Sequence, residues 1–331
     1  MIESRFAPER PVVTVCVLTY NHGRYIEDCL LSVLYQDPSI RTEILVGDDA
    51  SSDDTSQRVA RLAELHPGRI TLHTHPVNLG ATRNYQFLIA RAEGDWIAYL
   101  DGDDFWQPGK LRAQLAFLHA HPAVVACYTD AMAIGFDNSA VGVFSGPHPP
   151  EFDTECLVEG GNFLCHSSML YRRSARDAIL SLSEAFIDYR IHLRLSRLGP
   201  LGFVNEVLTA YRVFVPNSMT ARSPLQVRQL YWEALTEACL ELAGKPAVVR
   251  GLARFLGAAV VHGVLLRKPF TVQPWFASLR SKFPGIATQV TLRSAAAALL
   301  LVLQVGWRNL DRRVSGSSLR ILFPRRDRRR S

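Results

Sequence analysis

Three carboxylates fall within four residues in Asp101-Gly102-Asp103-Asp104, directly after the apolar stretch Trp96-Ile97-Ala98-Tyr99-Leu100. Like charges gathered at the mouth of a buried strand repel and raise one another's pKa unless a cation or a basic partner compensates them. The spacing therefore suggests chemistry that uses a bound cation. A solvated acidic turn is the plainer alternative, and the apolar Leu100, Phe105 and Trp106 around the cluster weigh against it. A calcium loop of the EF-hand type is excluded, because counting from Asp101 puts Trp106 where glycine must turn and Arg112 where a bidentate glutamate must sit.

Such a cluster needs elements to hold it. Residues 11–18 form a continuous, β-branched apolar run, the pattern of a strand buried on both faces of a parallel sheet. Asn21-His22-Gly23 breaks it, and Tyr25, Ile26, Cys29, Leu30, Val33 and Leu34 then recur at helical spacing. Further strands are predicted at 43–46 and 69–75. Helices carry Val59, Leu62 and Ala63, then Tyr85, Leu88, Ile89 and Ala92. Four strands alternating with three helices predict an α/β fold, a doubly wound, mostly parallel sheet with right-handed crossovers. Ligands of such sheets bind beyond the carboxyl ends of the strands. There the sequence puts Thr19-Tyr20-Asn21, Asp48-Asp49 and the three acids, one polar set per strand end. Beyond this half we expect a helix at 108–121, a strand at 124–129, a Gly/Pro-rich loop at 135–161, a helix at 188–198 and extended chain at 203–213. Residues 162–171 fit a strand or a turn equally. A helix opens at Ser223-Pro224 and closes at Gly244.

In order along the chain, four segments resemble the inverting nucleotide-sugar glycosyltransferases of family 2, with their GT-A fold. Val15 to Asn21 is similar to the family's opening strand with its T-Y-N end. Ile44-Leu45-Val46-Gly47-Asp48-Asp49-Ala50-Ser51 resembles its "VDDGS" segment, Asn78-Leu79-Gly80 with Arg83-Asn84 its "N-x-G…R-N" segment, and Leu100 to Asp104 its metal-binding "LDxDD". The resemblance covers about residues 11–220. It implies a donor half at about 11–130 and an acceptor half at about 131–222. A helical C-terminal region at 223–307 and a flexible basic tail at 308–331 complete the expected organisation.

Roles follow from the same resemblance. It implies Mg2+ or Mn2+ on Asp103 first, with Asp101 toward ribose and metal and Asp104 as a second ligand or an orienting group. Asp49 would contact the nucleotide base, walled by Leu18, Thr19 and Asn21. Arg83 would face base or diphosphate, or else form a surface salt bridge. Inversion needs a base for the acceptor hydroxyl. Phe186-Ile187-Asp188-Tyr189 resembles the family's acid before a helix, which makes Asp188 the candidate base; N-capping that helix is its structural alternative. The family's histidine after "Y-R" is Phe214 here, so a metal would be held more loosely or completed by Ser218 or water. His166 faces the acceptor or is a core histidine, and His73 and His75 lack a third ligand for zinc.

Composition bounds the rest. The 48% hydrophobic content and 21% charged residues suit an ordinary α/β chain with a large core. Six scattered cysteines, with no C-x-x-C pair, suggest neither a zinc cage nor a disulfide framework, and a cytoplasmic home is expected. The net charge of +6 is concentrated at the end: nine Arg and two Asp from Arg308 onward give +7, leaving the rest at −1. No nucleic-acid role is expected of that nearly neutral body. Arginines following a stripe of Leu292, Leu299, Leu303 and Trp307 suit an anionic membrane, at the inner face of the plasma membrane. A helix packed on the body followed by a loose tail fits as well. Runs at 255–266 and 295–303 are each shorter than a membrane span needs.

The expected activity is transfer of a sugar from a UDP-linked donor to a carbohydrate or lipid-linked acceptor in bacterial surface-polysaccharide assembly. The alternatives are a non-catalytic nucleotide-binding assembly partner at the membrane and a sugar nucleotidyltransferase. The last would show a Gly-rich, lysine-containing loop after the first strand, and Thr19-Tyr20-Asn21-His22-Gly23 is not one.

Overall fold

The computed structural model describes residues 12–183, 185–213, 223–265, 272–315 and 320–321. Phe214 and Ser218 lie outside them. All seven residues of strand β1 (Val13–Thr19) are buried, as a continuous β-branched run requires. It pairs in parallel with β2 (Thr42–Asp48) and, on its other side, with β4 (Trp96–Asp101), while β3 (Ile70–Thr74) flanks β2. The crossovers are helices α1 (Ile26–Leu34), α2 (Thr55–Leu65) and α3 (Ala81–Ile89). The alternation of β1 feeds two cores: Val13, Val15 and Val17 join α1 and α2 on one face, Cys16 and Leu18 join α3 on the other.

Past β4 the sheet becomes mixed. The two-residue β5 (Phe105–Trp106) leads to α4 (Lys110–Ala120) and β6 (Ala126–Ile134). The segment expected as a long loop instead holds β7 (Ala140–Val143), β8 (Glu151–Phe152) and α5 (Thr154–Gly160), whose N-cap Asp153 accepts from the Cys156 N–H at 2.9 Å. The ambiguous stretch resolves into a 3-10 turn, His166–Ser168, and β9 (Leu170–Arg172). β9 enters antiparallel between β4 and β6, so the parallel order ends there. After α6 (Asp177–Leu180) and α7 (Asp188–Ser196), the long β10 (Leu201–Arg212) runs parallel to β6 with two register shifts and antiparallel to β5 and β8.

The C-terminal helices share this core. On α8 (Pro224–Glu241), Trp232 is 1% exposed within the cluster that includes Cys16 of β1 and Leu252 of α9 (Pro246–Leu265). Its Nε1 donates to Ser278 Oγ of α10 (Gln273–Lys282) at 3.0 Å. Glu237 of α8 accepts from Arg190 at 2.7 Å, Arg194 at 2.6 Å and Arg197 at 3.2 Å, all on α7. Tyr231 stacks on Tyr189 at 4.4 Å. Contrary to the sequence-based length estimate, α9 is long and apolar enough to cross a membrane, with mean hydropathy 1.4 over Pro246–Val264; 56% of that stretch is buried inside the protein. It packs mainly on α5 and α11 (Ala287–Ser315). Its two arginines explain the miscount: Arg250 pairs with Glu159 at 2.7 Å, and Arg254 crowds Gly161, so neither interrupts the helix. The basic end also differs from a wholly loose tail, since α11 continues to Ser315 and β11 (Arg320–Ile321) pairs with β7.

If the C-terminal helices and the sheet share one core, Trp232→Ala should destabilise the whole chain by about 3–5 kcal/mol. Urea unfolding followed by circular dichroism measures it; a negligible loss, or an early separate transition, would mean that the helices fold on their own.

Candidate active site

The strand register sets the site. Leu18 of β1 lies opposite Asp101 of β4, and Thr19 opposite Asp48 of β2, so the polar strand ends meet at one edge of the sheet. Gly102 follows β4 there, and a Cβ at this position would come within 2.9 Å of both Thr19 Oγ1 and His22 Nδ1. Those two atoms are buried without a hydrogen-bond partner among the described residues. Glycine at 102 thus lets the turn after β4 pack directly on Thr19 and His22, where any side chain would clash.

Around this point the loops are tied to each other. Asn21, at φ 57°, accepts from the Ser52 N–H at 2.7 Å, and its own N–H donates to Ser51 Oγ at 2.9 Å. That lashes the end of β1 to the loop after β2. Asp48 is fully buried and accepts from the hydroxyls of Ser51 and Ser56. Asp49 is 4% exposed and accepts from the backbone N–H groups of Leu79, at 2.6 Å, and Gly80, at 2.9 Å. Its carboxylate therefore shapes the Asn78-Leu79-Gly80 turn, with both oxygens engaged. Arg83 is exposed on α3 and forms no ion pair among the described residues. His75 bonds Asn84 at 3.0 Å and is a structural histidine.

The three acids are not equivalent. Asp104 is 2% exposed; one oxygen accepts from the Arg212 N–H at 2.7 Å and the other from Ser167 Oγ at 2.5 Å. Arg212 also caps the turn, donating to the Asp103 carbonyl at 2.9 Å with its guanidinium 4.1 Å over the Tyr25 ring. Asp101 accepts from the Tyr99 hydroxyl at 2.7 Å and from Ser167 Oγ at 3.4 Å. The Asp103 carboxylate makes no hydrogen bond among the described residues and is partly open. Burial, then Asp103 beside it, pushes the Asp101 carboxyl up to about 7, against the Tyr99 hydrogen bond. Burial and the same neighbours push Asp104 well above the usual carboxylate range. Among the described residues no three His, Cys, Asp or Glu side chains form a ready cation cage. The set instead leaves Asp103 free, Asp101 half engaged and Asp104 as an orienting strut.

Asp188 opens α7 but does not cap it. The N-cap is Ile187, and the Asp188 carboxylate accepts from its neighbour's N–H, that of Tyr189, at 2.7 Å and from Asn162 Nδ2 at 2.8 Å. Burial raises its pKa, opposed by these two bonds. It lies near enough to Asp101 to contribute to that residue's upward shift. Sequence reasoning missed Ser167, which bridges Asp101 and Asp104, and missed Tyr99, Asn162, His192 and Arg212. Ser167 stands next to His166 in the sequence, and its position before β9 became visible only once β9 was seen between β4 and β6.

Polar strand ends gathered at one edge of parallel strands, an acid cluster at the end of β4 and a half-buried acid at the start of α7 are the arrangement of a GT-A glycosyltransferase fold. The glycosyl transferase family 2 model matches residues 14–180, and the chain belongs to that family. An uncharacterized protein of Mycobacterium tuberculosis is 26% identical over 243 residues, 70% of this chain and 68% of the relative. The chondroitin synthase of Escherichia coli is 25% identical over 62% of this chain but only 29% of its own length. Among solved structures, Staphylococcus aureus TarS 1-349 covers 86% of this chain and 82% of its own at TM-score 0.61 and 19% identity. A mannosyltransferase of Pyrobaculum calidifontis, in complex with GDP-Man and Mn2+, covers 88% of this chain and 81% of its own at TM-score 0.52 and 21% identity. These structural likenesses establish the fold.

Because the folded pKa of Asp101 lies above its unfolded value, the native state holds its proton longer than the unfolded chain does. Its contribution to stability therefore falls as pH rises from about 4 to about 7. In metal-free buffer Asp101→Asn should flatten that part of the stability profile, read by urea unfolding at each pH; a profile as steep as the wild type's would place the strain elsewhere.

Proposed function

We propose that the chain transfers a glycosyl group from a nucleoside-diphosphate sugar, UDP-linked, to a hydroxyl of a carbohydrate or lipid-linked acceptor, with inversion, in bacterial surface-polysaccharide assembly. The observation that carries this reading is that Asp101 at the end of β4 and Asp188 at the start of α7 are half-buried carboxylates in electrostatic reach of one another, each held by neutral hydrogen-bond donors. Asp188 takes the acceptor's proton as the acceptor oxygen bonds to the anomeric carbon. The bond from that carbon to the diphosphate breaks, and the nucleoside diphosphate leaves. A carboxylate with a raised pKa holds that proton better than an ordinary one.

A bound divalent cation, Mg2+ or Mn2+, would supply charge neutralisation for the departing diphosphate. Asp103 would hold it, with Asp101 beside it. The donor set fits: the cluster carries no compensating cationic side chain and the Asp103 carboxylate is unbonded among the described residues, and a site of one or two carboxylates leaves room for phosphate oxygens and water. Asp104 holds the turn through Arg212 and Ser167. Thr19 and His22 offer the unpaired polar atoms for the donor, and Leu18 and Asn21 wall the base pocket that Asp49 shapes. Arg83, exposed on α3, is available to the diphosphate.

UDP as the nucleotide draws support from TarS, whose structures include complexes with UDP and with UDP-GlcNAc, and polysaccharide assembly from the similarity to chondroitin synthase. Calorimetric titration of UDP and GDP with Mn2+ is expected to show metal-dependent binding of UDP, lost in Asp103→Ala. In Asp188→Asn, nucleotide binding should persist while turnover drops by about 10²–10⁴. Turnover that survives Asp188→Asn would remove it as the base; a wild-type chain that binds nucleotide and transfers nothing to any acceptor would be an assembly partner.

The protein's place at the cytoplasmic face of a membrane is part of the same reading. On α11, Leu292 and Leu299 are 71% and 62% exposed, with Leu303 further along, and the arginine-rich end follows. Exposed leucines beside cations suit an anionic lipid surface. The full chain should co-sediment with vesicles containing phosphatidylglycerol and not with neutral ones, and truncation before Arg308 should abolish this; equal binding by the truncated chain would acquit the basic end.

A further inference from the structure

Behind the carboxylate of Asp188 runs a chain of hydrogen bonds that the reaction as described does not use. Asn162 Nδ2 donates to Asp188 Oδ2 at 2.8 Å, Asn162 Oδ1 meets His192 Nδ1 at 3.1 Å, and His192 Nε2 meets His166 Nδ1 at 3.0 Å. Two segments build it. Asp188 and His192 stand four residues apart on one face of α7, and Asn162 and His166 belong to the irregular segment that follows α5. Tyr231 of α8 fixes the start of that segment by bonding the Asn162 N–H. His192 is fully buried with Tyr128 packed edge-on at 5.0 Å, and His166 packs on the Tyr99 ring at 3.9 Å, the same Tyr99 whose hydroxyl bonds Asp101.

The donors and acceptors can be assigned one by one. An ionised carboxylate only accepts, so the Asn162 amide must turn its N–H to Asp188 and its oxygen to His192. That oxygen only accepts, so His192 carries its proton on Nδ1. A neutral imidazole has a single N–H, so His192 Nε2 is a lone pair and must accept from His166 Nδ1. His166, half-buried, is left with the Nε2 lone pair, which has no partner among the described residues. Burial keeps both rings neutral, with His166 lowered to about 3.

We infer that His166, His192 and Asn162 form a one-way hydrogen-bonded relay that positions Asp188 and favours its ionised form, with both histidines locked as Nδ1–H tautomers. Every N–H in the chain points toward the carboxylate. To donate a proton back along it, a protonated Asp188 would need the Asn162 amide to flip and both tautomers to reverse. The relay therefore keeps Asp188 ionised, and so free to receive the acceptor's proton, and gives that proton no path inward. It also presents the Nε2 of His166 beside Tyr99 as an acceptor for a sugar hydroxyl. These three are positioning residues, and the inference rests on the reading of Asp188 as the base.

Two measurements test it. In the full chain labelled with 15N-histidine, long-range 1H–15N correlation spectra at neutral pH should show Nδ1–H for the two rings whose signals are lost in His192→Phe and His166→Phe. Either ring in the Nε2–H form overturns the relay, with no activity measured. In transfer assays, Asn162→Ala and His192→Phe should lower kcat on the order of tenfold, part of what a general base supplies, with the donor KM within about twofold. His192→Gln, which keeps a donor and an acceptor, should recover part of the loss. Unchanged kcat, or a loss carried only by KM, overturns the positioning role. Asp188→Asn separates the two readings: if it keeps wild-type turnover, the base assignment fails whatever the tautomers; if it is inactive while the rings are Nε2–H, the relay alone fails.

Discussion

The crowding of negative charge at the end of β4 is the constraint on which the rest of the structure depends. Asp101, Asp103 and Asp104 are held together with Asp188 close by, and burial forbids water from screening them fully. The fold answers with hydrogen bonds: Tyr99 and Ser167 on Asp101, Ser167 and the Arg212 N–H on Asp104. None of these supplies a full positive charge, since Arg212 offers Asp104 its backbone and gives its guanidinium to carbonyls and to Asn138. The site is left electrostatically hungry, the state that the proposed cation and diphosphate would relieve. It also explains why β9, with the turn before it, has to enter the sheet where it does. That turn brings Ser167 between the two carboxylates.

Much of the donor half was legible in the sequence because its signals are local. A β-branched run buried on both faces in β1, a polar break and an amphipathic helix, followed by two more strand–helix alternations, dictate the parallel strands and the edge at which Thr19, Asp48 and Asp101 meet. The resemblance pointed to the family, and the match over residues 14–180 shows it. The strand boundaries moved by a residue or two because the ends are set by pairing register.

The second half was less legible for a physical reason. β5, β8 and β9 are two or three residues long, too short for any periodicity, and exist because a neighbouring strand supplies their hydrogen bonds. The segment at 135–161 therefore looked like a loop. Asp188 could be picked out as an acid before a helix, yet its partners could not. Asn162 and His192 are 30 residues apart in sequence, and only the tertiary fold lays one four-residue spacing against the other. Asp49, which the resemblance marks as a contact of the nucleotide base, also holds the turn at Leu79 and Gly80 through both its oxygens, a role with no local signal in the sequence.

Helix α7 has two working faces. One carries Asp188 and His192; the other presents Arg190, Arg194 and Arg197 to the single carboxylate of Glu237 on α8. A rod clamped along one side transmits displacement to the other. The C-terminal helices thus act as the mount of Asp188, and sequence drift in residues 224–241 would shift that carboxylate while the strand ends at Thr19, Asp48 and Asp101, held by the register of β1, β2 and β4, stay as they are.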